Sequence, residues 1–169
     1  RAAHTPSIRI TDGLTMPFLN DEVVICFKGG SSRKQSQLKE GRLFVYGDEA
    51  LIGSRVIRFY KKQARSIFTD KAAYFADKAD KNFNSIRITD TKSCWGSCTS
   101  AGVLSLSWRL LLAPEYVCDY VIAHEVAHLH HMDHSKEFWA LCETLEPRTK
   151  KAKRWLKSTG HVLHQWQAN

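Results

Sequence analysis

The segment VIAHEVAHLHHMDHSKEFW, Val121 to Trp139, constrains the fold more than any other part of the chain. It carries five of the eight histidines, His124, His128, His130, His131 and His134, interleaved with Val, Ala and Leu. Histidine is a mediocre helix former and an uncommon fully buried residue, so such a cluster needs a reason. In an α-helix each residue turns by about 100° and rises about 1.5 Å. His124 and His128 then lie about 40° apart around the axis and about 6 Å apart along it, so both imidazoles reach one ion. Glu125 falls beside that ion, about 100° from His124 and about 60° from His128, where it suits a base for an attacking water. Val126 and Ala127 between the histidines belong to a helix packed inside a cleft rather than lying in solvent.

A catalytic zinc takes three protein ligands and keeps one position open. His131 is on the same helical face but about 10 Å along the axis from His124, too far for a straight helix to share the ion. His134 reaches back if the helix ends near Met132, and Asp133 tolerates the left-handed conformation that ends helices. His134 is therefore the preferred third ligand and His131 the alternative. His130 points elsewhere and is expected on the surface. Cys94 and Cys98 are four apart, but no second Cys/His pair at finger-like spacing joins them, so they are read as packing residues.

Around this segment the pattern is α+β. The first third, residues 1–47, is strand-rich: SIRIT, EVVICFK and RLFVYG are separated by DG, GGSS and EGR turns. Residues 48–169 carry the rest of what is expected to be one domain, 1–169, with one sheet. Asp48 caps a long helix whose apolar positions are Ile52, Val56, Phe59, Ile67, Phe68 and Phe75. NSIRITD (84–90) is a strand candidate, and VLSLSWRL (103–110) alternates Leu and Trp with Ser and Arg as a half-buried edge strand. Pro114 opens the histidine helix, Ser135 caps KEFWALCETLE, and Pro147 starts a basic helix ending at Gly160. Phe138 and Trp139 are expected in the core.

The net charge of +8 draws on Arg148, Lys150, Lys151, Lys153, Arg154 and Lys157, a run without an acid. Such a face can meet nucleic acid weakly, or simply be solvated. Five scattered cysteines do not make a secreted disulfide framework, which points to reduced thiols and a cytoplasmic setting. No apolar run approaches the roughly 20 residues needed to span a bilayer, so no membrane is expected.

WGSC, LSLSWRLLLAP and DYVIAHEVAHLHHMDHSKEFW together resemble the YgjP-like zinc metallohydrolases, relatives of the SprT and WLM proteases of the zincin clan. The resemblance runs from about Ile86 to Gly160. It implies a zincin-like fold, zinc held by His124, His128 and His134, and Glu125 as base. Cys94 stands where such proteins usually have Arg, and Asp133 where they have Asn. Zinc polarises a carbonyl or a phosphoryl oxygen equally well, so two hydrolases fit: a metallopeptidase, which leads, and a nucleotide pyrophosphohydrolase. The sequence shows no Asp/Glu cluster for a second ion, and VLSLSWRL offers an edge on which an extended peptide can pair. A nucleic-acid-associated protein built on the basic helix and a metal-holding fold without turnover are the remaining readings. Glu125 argues against the last, since a structural site needs no base and is normally closed by a fourth ligand.

Overall fold

The computed structural model describes residues 5–169. In chain order the strands are β1 (Ile8–Arg9), β2 (Thr15–Phe18), β3 (Asp21–Gly29), β4 (Gln37–Lys39), β5 (Arg42–Tyr46), β6 (Ser85–Thr89), β7 (Gly96–Cys98), β8 (Val103–Ser107) and β9 (Trp166–Gln167). The helices are α1 (Ile52–Lys78), α2 (Glu115–Ala127), α3 (Lys136–Leu145) and α4 (Thr149–Thr159). The α+β class expected from the pattern is what forms, with the long helix as its spine.

Asp48 caps a short 3₁₀ turn, Glu49–Leu51, by accepting a hydrogen bond from the Ala50 N–H at 2.9 Å, and the turn runs straight into α1. The buried face of α1 is Val56, Tyr60, Ala64, Phe68, Ala72 and Phe75, a spacing of three to four residues that keeps one stripe inward. Alanines between the aromatics let α1 approach its neighbours closely. The buried Tyr60 hydroxyl donates to the Pro17 carbonyl at 2.8 Å, so its polar end is satisfied within the core.

The strands form three sheets rather than the single one expected. Their orders are β1-β9, β2-β3-β5-β4 and β6-β8-β7. Helix α1 carries the chain about 40 Å between β5 and β6, so β6, β7 and β8 pair apart from the β2-β3-β5-β4 sheet. A second correction concerns VLSLSWRL. Its strand ends at Ser107, whose side chain accepts from the Arg109 N–H at 3.2 Å and caps a buried 3₁₀ turn, Trp108–Leu112. Moreover β8 is the middle strand, parallel to β6 and antiparallel to β7, so the edge belongs to β7.

Two contacts staple the C-terminal segment down. Arg109, almost fully buried, pairs with Asp90 at 2.7 Å and donates to the carbonyls of Leu163 and Trp166 at 2.9 and 2.8 Å. Asp90 is exposed, so the anchoring rests on the buried guanidinium and its two carbonyl acceptors. At Gly53 a Cβ would collide with the Ala168 backbone, so only glycine lets the chain end cross α1 there. Helices α1 and α2 run side by side in the same direction. Lys71 bridges Glu115 and Asp119 at 2.7 and 2.6 Å, and further along His130 bonds the Ala79 carbonyl at 2.6 Å. This register brings the end of α2 to the end of α1. No helix among the described residues is long and apolar enough to cross a membrane.

Candidate metal centre

The histidine segment folds into α2 because Val117, Val121, Ile122, Val126 and Ala127 bury completely or nearly so against α1 and the β6-β8-β7 sheet. The helix ends at Ala127, earlier than the Met132 limit expected. Its last turn tightens: the N–H groups of Leu129 and His130 donate to carbonyls three residues back, Val126 and Ala127, at 2.9 and 3.1 Å. Asp133 is not in the left-handed region, contrary to expectation, so this tightened turn and not Asp133 redirects the chain. Ser135 then caps α3 by accepting from the Phe138 N–H at 3.2 Å, as its position predicts.

The result is that His124, His128 and His134 converge, with one ring nitrogen from each lying within 4.8 Å of the others. Among the described residues this is the one group of three or more side chains arranged to hold a metal. His128 is buried, His124 half-buried and His134 exposed, so the cluster opens to solvent on the His134 side. His131 is not brought in. Its backbone carbonyl instead lies 2.9 Å from His128 Nδ1. With Nδ1–H donating to that carbonyl, His128 Nε2 carries the free lone pair. Tyr120, one turn before His124, places its hydroxyl 3.2 Å from His124 Nδ1, where its oxygen can accept the Nδ1–H. His124 Nε2 faces His134 Nε2 at 3.3 Å.

Phe138 and Trp139 do more than fill the core. Phe138 is fully buried and stacks on His128 at 4.3 Å between ring centroids, while Trp139 stacks on His134 at 5.7 Å. The two rings pack on the imidazole faces, and Phe138 covers the buried His128. Burial, reinforced by the neighbouring His128, His134 and Lys153, pushes His124 down to about 3. Burial also lowers His128. Neutral imidazoles are the form that ligates metal.

Glu125 is 5% exposed, and burial pushes its carboxyl up to about 8. What it packs on was not anticipated: β7, the edge strand within WGSC. A Cβ added at Gly96 would lie 3.0 Å from both Cγ and Oε2 of Glu125 and 3.2 Å from the Ser105 carbonyl. Gly96 therefore gives the carboxylate its room. Trp95 next to it stacks on His164 at 4.7 Å, and its carbonyl accepts from the Ser107 N–H at 2.9 Å, which anchors this strand. Cys98 lies close enough for Glu125 to reinforce the upward push that burial gives its thiol, to about 11. Cys94 is exposed, and all five cysteines are free.

Much of the basic run is engaged within the chain. Arg148 pairs with Glu146 and Asp119 at 2.6 and 3.3 Å, Lys151 sits over Tyr116, and Lys153 lies 3.8 Å above Trp139. Arg154 and Lys157 stay exposed.

A model of the YgjP-like metallopeptidase domain matches residues 1–159. The chain belongs to that family. This YgjP-like chain is thus a metal-dependent peptidase at the family level, and the resemblance read from its motifs is the family that matches. Among solved structures it is similar to the metallopeptidase zymogen abylysin of Pyrococcus abyssi, with 24% identity and a TM-score of 0.49, covering 55% of this chain and 95% of that one. No curated protein matches it.

Proposed function

We propose that this protein is a zinc-dependent peptidase in which His124, His128 and His134 hold the metal and Glu125 is the general base. The carrying observation is the 3.3 Å separation of His124 Nε2 and His134 Nε2. The distance matches the edge of a tetrahedron with metal–nitrogen bonds of about 2.0–2.1 Å, the zinc geometry. When bound, zinc acidifies a water and polarises the scissile carbonyl. The Glu125 carboxylate takes the proton from the attacking water and hands it to the leaving amine nitrogen. The His131 carbonyl holds His128 in the ligating tautomer, the Tyr120 hydroxyl can accept from His124 Nδ1–H, and Phe138 and Trp139 pack on the ring faces. A peptide in extended form fits along β7, which has one side paired to β8 and packs on Glu125 through Gly96. Among the described residues no carboxylate joins the histidine cluster to hold a second ion, which favours peptide over nucleotide.

The test is cleavage of a peptide mixture read by mass spectrometry before and after chelation. Chelated protein should lose cleavage and regain it with one equivalent of zinc; cleavage that persists in metal-free protein would overturn the reading. Gly96→Ala provides a finer probe. The new methyl has to displace Glu125 by a few tenths of an ångström, because the Ser105 backbone cannot retreat. Metal content should be unchanged while kcat falls roughly 10–100-fold, since displacements of about 1 Å cost about a hundredfold. Equal kcat in the two proteins would mean that β7 does not position the base.

A further inference from the structure

We infer that a cavity at the opposite end of α1 binds a small ligand bearing a phosphate chain, such as a nucleoside triphosphate or inorganic polyphosphate. It is enclosed by the loop after β3 and the first half of α1, has a volume of about 270 Å³, and is lined by Arg33, Lys34, Arg55, Arg58 and Lys62 with Phe59. The distance from the metal centre follows from helix length. Arg58 is about 30 Å along α1 from Ala79, whose carbonyl His130 holds beside the histidine corner.

Three features separate this cavity from an ordinary solvated basic face. First, none of the five cations is in an ion pair among the described residues, whereas cations used by the fold, Lys71, Arg109 and Arg148, each have a carboxylate. Five like charges around one concavity repel one another, and an anion removes that cost. Second, the cations are pre-positioned. Arg55 donates to the Ser32 carbonyl at 3.0 Å and is pressed against Gly47, where a Cβ would come within 3.3 Å of its Cζ. Lys62 reaches Gln35 at 3.4 Å, and Lys34 sits 4.3 Å over the Tyr46 ring. Third, no carboxylate lines the cavity: beside the cations its walls are Ser32, Gln35, Ser36, Gln63 and Phe59, so nothing of opposite charge answers the cations from within. Arg55, Arg58 and Lys62 recur at three and four residues, so one face of α1 presents charge over about 10 Å, the reach of a di- or triphosphate rather than a single phosphate.

The experiment is calorimetric titration of the zinc-loaded full chain at low ionic strength with inorganic tripolyphosphate, ATP and a single-stranded DNA oligonucleotide. Three charge-matched variants are compared: Arg58→Gln/Lys62→Gln, Arg33→Gln/Lys34→Gln, and Lys150→Gln/Lys151→Gln on α4. All substituted side chains are exposed, so the fold should survive. Any chelation of the metal is common to every protein, so differences between variants read the cavity. Tripolyphosphate should bind at least about tenfold more weakly to the first two variants and within about twofold of wild type to the third. Tighter binding of ATP identifies a nucleotide as the ligand, and equal binding identifies the phosphate chain alone. Equal weakening in all three variants would reduce the effect to net charge and overturn the proposal. So would the absence of binding at about 1 mM ligand, or a preference for DNA over both small ligands, which would make this a nucleic-acid surface instead.

Discussion

Glu125→Gln protein should purify folded, hold one zinc per chain and cleave its peptide substrate about 10²–10⁴-fold more slowly than wild type, the range that a positioned general base contributes. The direction follows from what Glu125 touches. Its side chain is buried between α2 and the edge strand β7, with Gly96 giving it room, and it forms no ion pair among the described residues. Gln has nearly the same shape, so it fits the same space and leaves the three imidazoles undisturbed. It has no basic lone pair at neutral pH, so the proton of the attacking water has no acceptor. Substrate binding should therefore survive while kcat collapses, and the two are separated by single-turnover kinetics on zinc-loaded protein. A mutant that turned over at nearly the wild-type rate would make Glu125 a packing residue and move the base elsewhere.

The architecture around this residue was legible in the sequence to different depths. The helix bearing His124 and His128 could be read because apolar neighbours and a four-residue spacing are local signals. So could the Ser135 cap, since serine before a charged and aromatic turn is a local signal as well. The turn that returns His134 follows Ala127 rather than Met132, and it uses another device than Asp133. It rests on carbonyls accepting from three residues onward at Leu129 and His130, a backbone change with no preferred residue type. VLSLSWRL read as one long strand because its alternation continues past Ser107, and serine serves equally as a polar strand residue and as a cap. That one ambiguity also hid which strand forms the edge. Gly96 could not be read at all, since its role is a contact with a residue 29 positions later. The same is true of Phe138, where apolar spacing predicts burial but cannot say that the ring is buried against an imidazole.

Metal affinity should rank the histidines in an order that spacing alone does not give. His124→Ala removes a half-buried ligand that lies on α2 beside the Tyr120 hydroxyl, and should lose stoichiometric zinc. His134→Ala should weaken zinc by more than about 100-fold, because loss of an outer partner already costs about 10–100-fold and this removes a ligand itself. Tyr120→Phe, which deletes only the hydroxyl at His124 Nδ1, belongs in that lower range. His131→Ala should change little. What His131 supplies to the site is its backbone carbonyl, 2.9 Å from His128 Nδ1, and alanine keeps that carbonyl. A chelator competition on the four purified variants, with mass spectrometry for metal content, reads the whole series. If His131→Ala released zinc more readily than His134→Ala, α2 would have to continue past Ala127 in the metal-bound protein. The tightened turn at Leu129 and His130 would then not be the feature that assembles the site.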